Sequence, residues 1–157
     1  MGGTRDFNEQ GVLLSPAVGL SFARVPPMHG LHLTADLHDC QCEPHWMLDA
    51  QALGAACLEA VEAAGLQGVG RLFHSFPATP EGPGGVTATV LLAESHLCIH
   101  TWPEQRAVTL DVYVCNFGGD HSAKAHALMA ALLALFRPGH AERHALARGS
   151  LAAAVAP

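Results

Sequence analysis

The sequence predicts an α+β protein built as a two-layer sandwich, an antiparallel sheet with helices packed on one face. Three observations predict it. Residues 31–37, 96–102 and 107–114 alternate apolar with polar side chains, and 86–92 is rich in β-formers. The connections between 86 and 114 are too short for parallel crossovers, so those strands pair as hairpins. Two longer stretches carry apolar residues at helical spacing and cover one face of the sheet.

The elements follow in order. Residues 1–28 read as a poorly structured N-terminal extension that ends at the Pro26-Pro27 breaker. Leu31, Leu33, Ala35 and Leu37 line one side of a half-buried strand. From Met47 to Ala64, the residues Leu53, Ala56, Cys57, Ala60, Val61 and Ala64 mark a helix that Gly65 stops. A strand over 69–76 leads into a loop, PATPEGPGG, at 77–85. Three strands follow, and Pro103 ends the middle one. Residues 122–136 form a helix that Asp120 or Ser122 can cap, with Leu128, Leu132, Leu135 and Phe136 on one face. Residues 29–138 then make one domain, and the Ala-rich stretch 139–157 is a C-terminal tail.

Composition narrows the function. The chain of 157 residues is 50% hydrophobic and 14% charged, with a formal net charge of -6 and a single lysine, Lys124. That balance argues against nucleic acid or an anionic membrane as partner and suits a domain that handles a small molecule. The N-terminus has no basic segment followed by an apolar run, and Asp6 spoils a myristoylation pattern. The longest apolar stretch, 125–136, is too short to span a bilayer. Five irregularly spaced cysteines read as reduced thiols of a cytoplasmic protein.

The chemistry concentrates in Glu94 to Glu104, ESHLCIHTWPE. With a period of two, His96, Cys98, His100 and Trp102 share one face, and Leu97, Ile99 and Thr101 the other. Such a face fits a satisfied polar surface, a site or a subunit contact. Zinc takes His and Cys ligands, but the chain has no CxxC pair and no HExxH helix, and Cys40-Gln41-Cys42 is too short a spacing. His140 and His144 stand one helical turn apart without an evident third ligand. No metal site is expected. A Ser/His hydrolase is a further reading, although Ser95 lacks the G-x-S-x-G turn.

ESHLCIHTWPE, followed by Ala107-Val-Thr-Leu-Asp-Val-Tyr-Val-Cys115, resembles the processing site of the prokaryotic S-adenosylmethionine decarboxylases, a family of pyruvoyl enzymes. His32-Leu-Thr-Ala-Asp-Leu-His-Asp-Cys40 and Phe73-His-Ser-Phe76 extend the likeness to about Leu31 to Phe136. The resemblance implies that the chain cuts itself between Glu94 and Ser95. The Ser95 hydroxyl attacks the Glu94 carbonyl, the resulting ester eliminates, and residue 95 becomes a pyruvoyl group that forms a Schiff base with a substrate amine. It further implies that Cys115 is the proton donor, that His100 and Thr87 assist processing, that Glu104 holds ribose hydroxyls and that Phe76 contacts an adenine.

The implied reaction is decarboxylation of S-adenosylmethionine for spermidine synthesis, in a homodimer of cleaved protomers. Members of this fold that act on L-ornithine or L-arginine are the alternative, and Asp36, Asp39 and Asp120 are then candidates for a distal cationic group. A non-catalytic or metal-binding scaffold is the third reading. The chain departs from the family pattern in the Cys115-Asn116-Phe117 run where Cys-Gly is usual, in its longer 77–85 loop, and in Leu37-His38 where an aromatic is usual.

Overall fold

The computed structural model describes residues 29–80, 82–93 and 95–149. The expected 1–28 extension and Glu94 lie outside the described residues. Among the described residues, six strands and three α-helices follow one another as β1 (Gly30–Cys40), α1 (His45–Leu48), α2 (Ala50–Ala63), β2 (Gly68–Ser75), β3 (Val86–Leu92), β4 (Ser95–Trp102), β5 (Ala107–Cys115), α3 (Ser122–Phe136) and β6 (Pro138–Arg148). The strands form one sheet in the order β2-β3-β4-β5-β1-β6. Every neighbouring pair is antiparallel. The fold is the expected α+β sandwich.

The strand pattern dictates the layers. Leu33, Ala35, Leu37, Val86, Ala88, Val90, Leu97, Ile99, Val108, Leu110, Val112 and Val114 all point to one face and are buried. Helices α2 and α3 lie over that face and bring Leu53, Cys57, Val61, Leu128, Leu132 and Phe136 into the same core. Each such large side chain withdrawn from water contributes about 1.5–3 kcal/mol. Thr101 is the buried polar exception. Its hydroxyl accepts from Val86 N at 2.7 Å and donates to Met47 O at 2.7 Å, tying β4 to β3 and to α1.

Two elements differ from the sequence reading. The helix expected over 47–64 is broken at Asp49, which caps α2 by accepting from Gln51 N at 2.8 Å and Ala52 N at 3.2 Å. Residues 139–148, expected as part of the C-terminal tail, belong to β6 and pair with β1 along its length; 150–157 lie outside the described residues. That strand carries no β-branched residue and sits at the sheet edge with little burial, so neither β-propensity nor a full alternation announces it. His140 and His144 therefore stand on a strand, not one turn apart on a helix.

Helix α3 begins at Ser122, but its N-cap is His121, without a side-chain cap, rather than the expected Asp120 or Ser122; the chain turns into the helix one residue later than an Asp120 cap requires. Asp120 Oδ1 accepts from Ser122 N at 2.9 Å, and hydrogen bonds from Ser122 hold the Asp120 carboxyl below its usual range. Asn116 braces the preceding loop: its Oδ1 accepts from His121 N at 2.9 Å and its Nδ2 donates to Ser122 Oγ at 3.3 Å.

Candidate active site

Among the described residues no helix covers the other face of the sheet, and the register gathers polar side chains on it. His96, Cys98 and His100 of β4 are flanked by Tyr113, Asp111 and Thr109 of β5. On the other side lie Leu91, Thr89 and Thr87 of β3. His96 to Trp102 thus share one face, as the alternation requires.

One end of this face holds four of the sequence-predicted residues. Thr87 and His100 are directly opposite, with Thr87 Oγ1 2.9 Å from His100 Nδ1. Phe76, His100, Trp102 and Glu104 line a cavity of about 360 Å³ whose floor is Gly84–Gly85 and Val86. The glycines are obligatory. A Cβ on Gly84 would lie 2.1 Å from Phe76 O, and one on Gly85 2.0 Å from Thr101 O. The 77–85 loop can close against β4 only without side chains there, and Phe76 N donates to Gly85 O at 2.9 Å to hold it.

Ser95 and Cys115 stand at the other end. Ser95 opens β4 and pairs with Val114, so Cys115 is one residue beyond it on the neighbouring strand. His100 is five residues along β4 from Ser95, about 17 Å at strand rise, and on the opposite face. One protomer therefore sets Ser95 and Cys115 one register position apart, on opposite faces of the sheet, and Thr87 against His100, and does not join the two pairs. The Ser95 hydroxyl is buried and has no hydrogen-bond partner among the described residues.

A polar relay crosses the open face beside Ser95. Asp111 Oδ2 lies 3.2 Å from His32 Nε2 and 3.3 Å from His96 Nε2. The three ligand atoms sit within 4.8 Å of one another, close enough to suit a metal ion. Arg148 Nη1, however, is 3.0 Å from His32 Nδ1. A guanidinium only donates, so Nδ1 accepts and Nε2 carries the proton toward Asp111. A metal at Nε2 would push that proton onto Nδ1, against the guanidinium. As arranged, the trio is a hydrogen-bonded relay.

All five cysteines are free thiols. Burial pushes Cys57 up to about 12, and burial aided by the nearby Cys42 pushes Cys40 up to about 11. Cys98 is also raised by burial.

The family model described as S-adenosylmethionine decarboxylase matches residues 31–149. The chain belongs to that family. The S-adenosylmethionine decarboxylase proenzyme of Hydrogenobaculum sp. is 36% identical over 121 residues, covering 76% of this chain and 81% of the relative. The proenzyme of Archaeoglobus fulgidus is 35% identical over 120 residues, covering 76% of this chain and 97% of the relative. The crystal structure of the adenosylmethionine decarboxylase from Aquifex aeolicus superposes with a TM-score of 0.68 at 31% identity, covering 80% of this chain and 94% of that one. The family match reaches beyond Phe136 through β6, which supplies Arg148 to the relay. The sequence reading assigned no role to His32, Asp111 or Arg148. Asp111 carries the available signal, a charged residue in the middle of a strand whose alternate positions are all apolar.

Proposed function

We propose that this protein is a self-processing, pyruvoyl-dependent decarboxylase that converts S-adenosylmethionine to its decarboxylated form for spermidine synthesis. The observation that carries the reading is Ser95, a buried hydroxyl without a partner among the described residues, at the first position of the strand that opens E-S-H-L-C-I-H-T-W-P-E. A buried hydroxyl left unpaired costs about 1–3 kcal/mol, so a resting structural role explains it poorly. A reactive role, as precursor of the pyruvoyl group after cleavage between Glu94 and Ser95, explains it well.

When formed, that group supplies an electron sink for loss of carbon dioxide from an amine substrate. The chain's own residues do the rest. Cys115, beside Ser95 in the register, returns a proton to the substrate carbon. Thr87 and His100, paired at 2.9 Å, form the processing couple. Glu104 binds the ribose hydroxyls, and Phe76 offers its ring to the adenine.

The two half-sets belong to different protomers. A homodimer that lays the open faces together in opposite directions brings Thr87 and His100 of one copy to Ser95 and Cys115 of the other. Leu72, Leu91, Trp102 and Leu146 are exposed on or at the margin of that face, which supports its burial in an assembly. Five free thiols support a cytoplasmic location. Among the described residues no helix is long and apolar enough to cross a membrane.

S-adenosylmethionine is favoured over ornithine or arginine by the cavity. It gathers two rings, Phe76 and Trp102, and one carboxylate, Glu104. Asp39 is instead paired with Arg106 at 2.7 Å, and Asp120 is committed to the start of α3. Reductive trapping with cyanoborohydride tests the assignment. The mass of the smaller chain should increase with S-adenosylmethionine and not with ornithine or arginine. An adduct formed only with arginine or ornithine would overturn the substrate.

A further inference from the structure

On the face away from Thr87 and His100, Ser95 is one of the residues that line a second cavity of about 190 Å³ on the helix side of the sheet. Leu92, Gln67, His121 and Lys124 line it together with Ser95. Lys124 is the only lysine of the chain. It sits in the first turn of α3, half-buried, with its Cε 3.8 Å from where a Cβ on Gly65 would be. A cation there opposes the helix dipole, so helix stability does not account for it. Nor does an ion pair, since among the described residues Lys124 has no carboxylate partner.

We infer that Lys124 is an electrostatic catalyst of self-cleavage, poised for the negative charge that develops on Ser95 Oγ. The inference rests on the pyruvoyl reading above. After the acyl shift, Ser95 Oγ is bonded to the carbonyl carbon of residue 94 and the amide nitrogen of residue 95 is free. In the elimination, a base, His100 of the second protomer, takes the Cα proton of residue 95. The Cβ–Oγ bond breaks and its electron pair stays on Oγ. That atom becomes an oxygen of the new terminal carboxylate of residue 94, and residue 95 becomes dehydroalanine, which water converts to pyruvoyl with release of ammonia. The atom that gains the charge therefore belongs to a residue that lines the same cavity as Lys124. A cation preorganised where charge appears lowers the barrier without reorganisation.

The test follows maturation of the full-length protein by intact mass in Lys124→Met, Lys124→Gln and Lys124→Arg. Met and Gln should slow release of the upstream chain at least tenfold, short of the ~10²–10³ of a fully enclosed oxyanion donor because the cavity is partly open. The stalled chain should be an ester, split by hydroxylamine at residue 95. Arg should restore most of the rate. Circular dichroism identifies any variant that fails to fold, and the neutral variant that folds carries the result. Maturation of a folded neutral variant at the wild-type rate would overturn the inference. So would a stalled chain insensitive to hydroxylamine, because the block would then precede the elimination. A wild-type chain that never cleaves would instead overturn the pyruvoyl reading beneath it.

Discussion

Thr101 shows how much one hydroxyl can organise. It is 5% exposed, and it satisfies both a strand amide and a helix carbonyl that would otherwise be buried unpaired. Thr101→Val keeps the shape and removes both bonds. It should cost about 1–3 kcal/mol in urea unfolding, and a change within error would contradict the assignment. Cys57 makes a pH prediction. Its thiol moves from 9.0 in the unfolded chain to about 12 in the fold, because burial disfavours the thiolate. The folded state then holds the proton more tightly. That stability is fully present below pH 9 and is lost as pH rises toward 12. Cys57→Ala should flatten the alkaline limb of the stability profile; an unchanged limb would count against it. At this scale the sequence was informative where chemistry repeats a known string. Ser95, His100 and Cys115 could be proposed for roles from it. Asp111 and His32 could not be given roles, because their bond depends on the pairing of β1 with β5 across most of the chain.

The β3–β4 hairpin and the loop before it carry much of the proposed site. Alternation placed His96, Cys98, His100 and Trp102 on one face, since side chains in a strand have a period of two. The loop 77–85 was legible as a loop, but the reason for its paired glycines was not. Only the approach of Thr101 O and Phe76 O explains them. Gly85→Ala should destabilise the fold by about 1–3 kcal/mol or more, as overpacking does, and should also weaken substrate binding in the adjoining cavity. A variant with wild-type stability would show that the loop can retreat. Strand β6 escaped the sequence reading for the opposite reason. Ala, His and Arg suit an edge strand only once β1 offers its free side, which is a tertiary decision.

For the whole molecule, the separation of Ser95 from His100 within one chain is the decisive feature. With the roles proposed for Ser95 and His100, that separation leaves the protomer an incomplete catalyst. Chains carrying Ser95→Ala and His100→Ala should each remain uncut alone. Coexpressed, the His100→Ala chain should be cut, because its partner supplies the missing imidazole. Failure of both chains to cut in the mixture would put His100 and Ser95 to work within one protomer. The measurement that tests the central claim most directly is the intact mass of the purified, denatured protein. The account predicts two chains that meet at residues 94 and 95, the smaller one with no free amino terminus. A single uncut chain, indistinguishable in behaviour from Ser95→Ala, would contradict it.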